Sequence, residues 1–107
     1  MANEVFKRKW GSQGSGDGQF NHPTGIDVCN NEVFVGDRNN NRVQVFGLDG
    51  QFKRKWGSSG EGDGEFSGPF GVAGYNSEVF VTDDENDRIQ VFGAIEKLSH
   101  LTLMGVD

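Results

Sequence analysis

A 41-residue stretch occurs twice in this chain of 107 residues. Residues 7–47 (KRKWGSQGSGDGQFNHPTGIDVCNNEVFVGDRNNNRVQVFG) and 53–93 (KRKWGSSGEGDGEFSGPFGVAGYNSEVFVTDDENDRIQVFG) align without a gap at an offset of 46, and by direct count 25 of the 41 positions are identical. A period in the forties marks a repeated supersecondary unit whose copies stack on one another. A unit that small cannot bury enough apolar surface by itself. The duplication therefore excludes most architectures before any single residue is considered.

Within each copy the apolar residues alternate over short runs bounded by turn residues, which is the signature of strands. Residues 25–28 and 71–74 are short and follow a proline. Residues 32–36 (EVFVG) and 78–82 (EVFVT) are rich in Val and Phe. Residues 42–46 (RVQVF) and 88–92 (RIQVF) alternate polar with apolar, and FKRKW recurs within 5–10 and 51–56. Nine phenylalanines and 17 glycines suit this reading, since Phe fills half-buried pleated surface and Gly supplies turns. The expected unit is a four-stranded antiparallel meander, all-β, packed face to face on its copy. Phe34, Val45, Phe46, Phe80, Val91 and Phe92, with Trp10 and Trp56, are the expected packing residues between units.

The pattern GDGQF, HP, GIDV, NNEVFVGDRNNNRVQVFGLDGQF, matched by GDGEF, GP, GV, NSEVFVTDDENDRIQVFG, resembles the NHL repeat. The resemblance covers residues 5–93. The naming triplet reads Asn40-Asn41-Arg42 and Asn86-Asp87-Arg88, keeping the asparagine and carrying arginine third. What the resemblance implies is a β-propeller of typically six blades, each of four strands. The family includes tripartite-motif ubiquitin ligases, RNA-binding regulators, bacterial sensor domains and a peptide-amidating lyase. Residues 1–10 then read as the outer strand of a preceding or neighbouring blade, 11–56 as blade 1, and 57–93 as blade 2 without an outer strand of its own. Residues 94–107 leave the repeat, either as the missing strand or as a short helix.

Two blades do not close a ring. Three copies joined head to tail into a homotrimer through their blade edges would make six, a heterologous contact whose rotation closes. The rival is a piece of a longer, tripartite-motif-like propeller protein.

The net charge of −6 gives no global attraction to nucleic acid or anionic lipid. A single cysteine, Cys29, excludes an internal disulfide, and no apolar run approaches the roughly 18 residues of a membrane-spanning helix. With no signal-peptide pattern at the N-terminus, a cytoplasmic protein is expected. No zinc framework of Cys and His is present to support ubiquitin ligase chemistry. His22 and His100 stand in unrelated contexts, and no nucleophile, base and acid form a set. No cofactor, metal or catalytic residue is expected, and the function indicated is protein interaction.

Three groups of residues are candidates for specific roles. Asp37, Asn40 and Arg42 recur as Asp83, Asn86 and Arg88, and a feature repeated in each blade reads as a structural lock across the turn. Lys7, Arg8 and Lys9 recur as Lys53, Arg54 and Lys55. They are candidate phosphate contacts for RNA, against which stand the acidic balance and the ordinary use of lysine on edge strands. Arg38 and Asn39 differ from their counterparts Asp84 and Glu85, which makes those four the candidate partner-binding residues. The inner-strand positions Thr24, Ile26, Asp27 and Cys29 also differ, against Phe70, Val72, Ala73 and Tyr75. Asp17 and Asp63, in the glycine-rich loops, are expected to bond turn amides.

Overall fold

The computed structural model describes residues 3–94. Seven strands follow one another: β1 (Pro23–Cys29), β2 (Glu32–Asp37), β3 (Arg42–Gly47), β4 (Phe52–Trp56), β5 (Pro69–Tyr75), β6 (Glu78–Asp83) and β7 (Arg88–Gly93). They form two antiparallel meanders, a four-stranded sheet in the order β1-β2-β3-β4 and a three-stranded sheet in the order β5-β6-β7. The register repeats with the sequence: Phe34 lies opposite Val45 as Phe80 lies opposite Val91, and Asp37 faces Arg42 as Asp83 faces Arg88. A fourth strand for the second sheet, and the tail after Ala94, lie outside the described residues.

The turns follow from local chemistry. β1 and β2 are joined through Asn30 and Asn31, β5 and β6 through Asn76 and Ser77, and all four residues have positive φ. Two consecutive left-handed residues make the hairpin turn whose twist matches that of the flanking strands, and asparagine tolerates the conformation best. At the other end, a single 3-10 turn (Arg38–Asn40, then Asp84–Asn86) links the second strand of each sheet to the third. Each of these turns ends on a left-handed residue, Asn41 or Asp87, whose amide bonds back to the carbonyl of Arg38 or Asp84.

The core lies between the sheets. Phe34, Val43 and Val45 of the first meet Val79 and Val81 of the second, with Phe66 between them and Trp56, Val72 and Phe92 at the margin. Each fully buried Val or Phe contributes about 1.5–3 kcal/mol. Val45 and Phe46 are adjacent and so face opposite ways. Phe46 accordingly points to the far face of the first sheet, where it packs with Val33, Val35, Phe20 and Phe52 and lies 5.6 Å from the Trp10 ring. Phe80 and Val91, on the far face of the second sheet, stay 37% and 48% exposed, beside Ile89 at 65%. The expected packing residues thus serve two faces, one of which is covered inside the chain.

The sheets approach most closely at β1 and β5. A side chain at Gly25 would sit 2.4 Å from the Phe70 carbonyl oxygen, so only glycine fits there. Thr24 Oγ1 donates to that same carbonyl at 2.9 Å, and the Gly74 amide donates to Asp27 Oδ2 at 2.7 Å. Residues 5–10 pair with no strand among the described residues, and Val5 and Phe6 are 78% and 75% exposed.

Candidate functional site

The lock residues hold each blade's long entry loop to its second and third strands. Asp37 is fully buried. Its Oδ2 accepts from Arg42 Nε at 2.8 Å, Asn40 Nδ2 at 3.0 Å and Gln44 Nε2 at 3.2 Å, while Oδ1 accepts from the Asn21 amide at 2.8 Å. The Arg42 guanidinium then reaches the carbonyls of Ser15, Gly16 and Gln19, each at 2.9 Å. In the second blade Asp83 takes Arg88 Nε at 2.8 Å, Asn86 at 3.0 Å, Gln90 at 3.3 Å and the Ser67 amide at 2.7 Å. Burial alone would raise the Asp83 carboxyl, but the bonds from Asn86, the Ser67 amide and Arg88 outweigh it and hold its pKa below the ordinary value.

Gln44 is a member of this network that the sequence reading passed over. Fully buried, it accepts from the Gly18 amide at 2.9 Å and donates to the Gln19 carbonyl at 2.6 Å. Gln90 repeats both bonds at 2.9 and 2.7 Å. The signal was available: a glutamine amid valines at the same place in RVQVF and RIQVF. The loop amides are therefore met by Gln44 and Gln19, not by Asp17. Asp17 instead accepts from Lys55 Nζ at 2.6 Å.

In the first blade the KRK residues are occupied by carboxylates of their own blade. Arg54 holds Glu32 with two bonds, of 3.0 and 2.9 Å, and lies over the Phe34 ring. Lys53 Nζ is 3.7 Å from Glu32, and Lys55 is bound to Asp17. Lys7, Arg8 and Lys9 are exposed and pair with no carboxylate among the described residues. The two copies of the motif thus differ in what they can still bind.

Of the residues that vary between copies, Arg38, Asp84, Glu85 and Phe70 gather on the end carrying the 3-10 turns. Arg38 Nη2 lies 3.4 Å from Asp84 and 3.6 Å from Glu85, bridging the blades. Its guanidinium stands 5.9 Å from the centre of the Phe70 ring, and its buried Nε meets no acceptor among the described residues. Asn39 does not join this group. It turns to the preceding loop, donating to Asn21 Oδ1 at 3.3 Å and lying 2.9 Å from His22 Nδ1. Asn41 ties the blades from the same end, accepting from the Gly68 amide at 2.9 Å. Phe70, Asn21 and His22 thus belong to this surface, and the first had shown itself only as a position that differs between copies.

Antiparallel meanders repeated in register and packed face to face are consistent with the blades of a propeller. The family model described as NHL repeat matches residues 20–46. The chain therefore resembles NHL-repeat proteins over that segment. It is 38% identical over 48 residues to Protein brain tumor of Drosophila melanogaster, a match covering 44% of this chain and 5% of that protein. It is 52% identical over 42 residues to Protein lin-41 of Caenorhabditis elegans, covering 38% of this chain and 4% of that one. The matches thus take in a small fraction of these long relatives. Among the described residues no helix is long and apolar enough to cross a membrane.

Proposed function

We propose that the chain is a non-catalytic NHL propeller module, a scaffold that recruits a protein partner on the turn-bearing end, and that three copies complete a six-bladed ring. The observation that carries the partner surface is the contrast between two sets of residues a few positions apart. Asp37, Asn40, Arg42 and Gln44 repeat and spend their bonds inside the blade. Arg38, Asp84 and Glu85 do not repeat, and they form an exposed cluster with mixed charge above the half-exposed Phe70. Exposed charge around an aromatic suits a protein surface with its own complementary charges.

Photo-crosslinking residues placed at Asn39 and Glu85, against a control at Lys53, test this reading. Protein adducts at the first two positions and not at the third are expected, and adducts spread evenly over all three would refute it. Arg38→Ala, Asp84→Ala and Glu85→Ala are expected to weaken that adduct while leaving the melting temperature nearly unchanged, because ion pairs this exposed contribute about 0–1 kcal/mol.

RNA binding is the second reading, favoured by the unpaired Lys7, Arg8 and Lys9. It predicts oligonucleotide affinity that falls steeply with salt. The net charge of −6 and the occupied Lys53, Arg54 and Lys55 weigh against it.

A further inference from the structure

We infer that residues 6–10 of one copy form the fourth strand on β7 of a second copy, locked there by ion pairs from Arg8 to Glu78 and from Lys9 to Asp63. The inference rests on the ring assembly proposed above and names the seam that makes it. The first blade displays the seam in finished form. FKRKW at Phe52–Trp56 pairs with β3, with Val43 opposite Trp56, Gln44 opposite Lys55 and Val45 opposite Arg54. Arg54 is held by Glu32 and Lys55 by Asp17.

The strand residues and carboxylates of that arrangement recur 46 residues later: Val91, Gln90 and Ile89 on β7, with Glu78 and Asp63 as the carboxylates. Glu78 and Asp63 join no ion pair among the described residues, and β7 has no partner on its outer side among them. Every donor recurs too, since residues 6–10 also read FKRKW and are unpaired. At that offset from Phe52–Trp56 the chain itself offers LSHLT, which lacks the arginine, the lysines and the tryptophan. The complementary strand is thus residues 6–10, of which Trp10 packs on Phe46 of the first blade within one chain.

Trp10 is already in position. Trp56 ends β4 on its own blade and packs on the next, 5.0 Å from Phe92 and 6.2 Å from Phe34. Trp10 makes the corresponding contact with Phe46, and its other side would cover the exposed Phe80 of the donor-accepting copy. Gly71 supplies an independent sign. Its counterpart Gly25 is glycine because the backbone of the following blade presses on it, whereas a side chain at Gly71 would meet only Thr82. A following blade laid against Gly71 gives that glycine the same reason. Alternate blades would also bring Asp84 beside Arg38 of the next copy, repeating the pair seen inside the chain.

The test is the mass of the full chain in solution across a concentration series, for the native protein, Arg8→Glu, Glu78→Arg and the double variant. The native chain is expected at three copies. Each single reversal is expected to weaken association about ten-fold or more at each seam, and the double variant to restore it, since coupled pairs show such interaction energies. Restoration by the second reversal excludes simple misfolding. Three copies unaffected by either reversal would overturn this seam while leaving the ring reading standing, and a single copy at every concentration would overturn both. The turn-end adducts at Asn39 and Glu85 report separately on partner binding.

Discussion

Removing the Asp37 carboxylate by Asp37→Ala offers a quantitative test of the lock, because the second blade carries the same network in a wetter setting. In the first blade the side chains of Asp37 and Arg42 are 0% and 8% exposed. Deleting one partner of a buried pair costs about 3–5 kcal/mol, mainly because the remaining charge has lost its counter-ion. Arg42 keeps three carbonyl acceptors, at Ser15, Gly16 and Gln19, which hold the cost within that range. Asp83→Ala removes the equivalent bonds, but the Arg88 side chain is 30% exposed and water can reach it. Its loss is therefore nearer the about 1–3 kcal/mol of unsatisfied buried groups.

The reason for the difference is visible in the chain path. The linker glycine Gly57 passes against Asn41 and Arg42, where an added side chain would come within 2.9 Å of Arg42 Cα, and no such cover lies over Arg88 among the described residues. Urea unfolding of each variant at concentrations where a single copy prevails measures both costs, with the midpoint shift converted by the slope of about 1–3 kcal/mol per molar urea. Asp37→Ala should lose roughly 0.7–2 molar more than Asp83→Ala, the difference of about 2 kcal/mol divided by that slope. Equal losses, or a loss below about 1 kcal/mol for Asp37→Ala, would show that the buried carboxylate is not what holds the loop.

Other consequences follow from the same geometry. Gly25→Ala should destabilise the chain by several kcal/mol, as overpacking against immobile backbone does, whereas Gly71→Ala should leave single-copy stability within about 1 kcal/mol and abolish the three-copy mass. Because the Asp83 carboxyl is held below its unfolded value, its contribution is complete above about pH 4 and disappears as pH falls through the lower folded pKa; urea midpoints between pH 5 and pH 2 should show an acid loss that Asp83→Asn flattens. Gln44→Leu should cost about 1–3 kcal/mol despite adding apolar surface, since the Gly18 amide and Gln19 carbonyl lose their partners; a neutral midpoint would contradict the network.

What was legible in the sequence was whatever the repeat encodes locally. The strand EVFVG and its copy EVFVT, the RVQVF and RIQVF pair and FKRKW fall within a residue of β2, β6, β3, β7 and β4, because alternation and turn residues are read within a few positions. β1 extends two residues earlier than the small-residue run, since a bulge between Pro23 and Gly25 carries the pairing past the proline. Alternation also separates Val45 from Phe46, but only the packed sheets tell which of them meets the other blade. The ion pairs were not legible. Arg54 finds Glu32 across 22 residues and Lys55 finds Asp17 across 38, separations that depend on the meander's register. Once that register is known, the repeat becomes informative again. It carries Glu78, Asp63, Gly71 and the unpaired FKRKW of residues 6–10 forward as the parts of a contact already built once within the chain. Their joint retention is hard to explain for a blade that ends a stack, since a terminal face gains from polar replacement. It follows directly if that face is covered by another blade of the same kind.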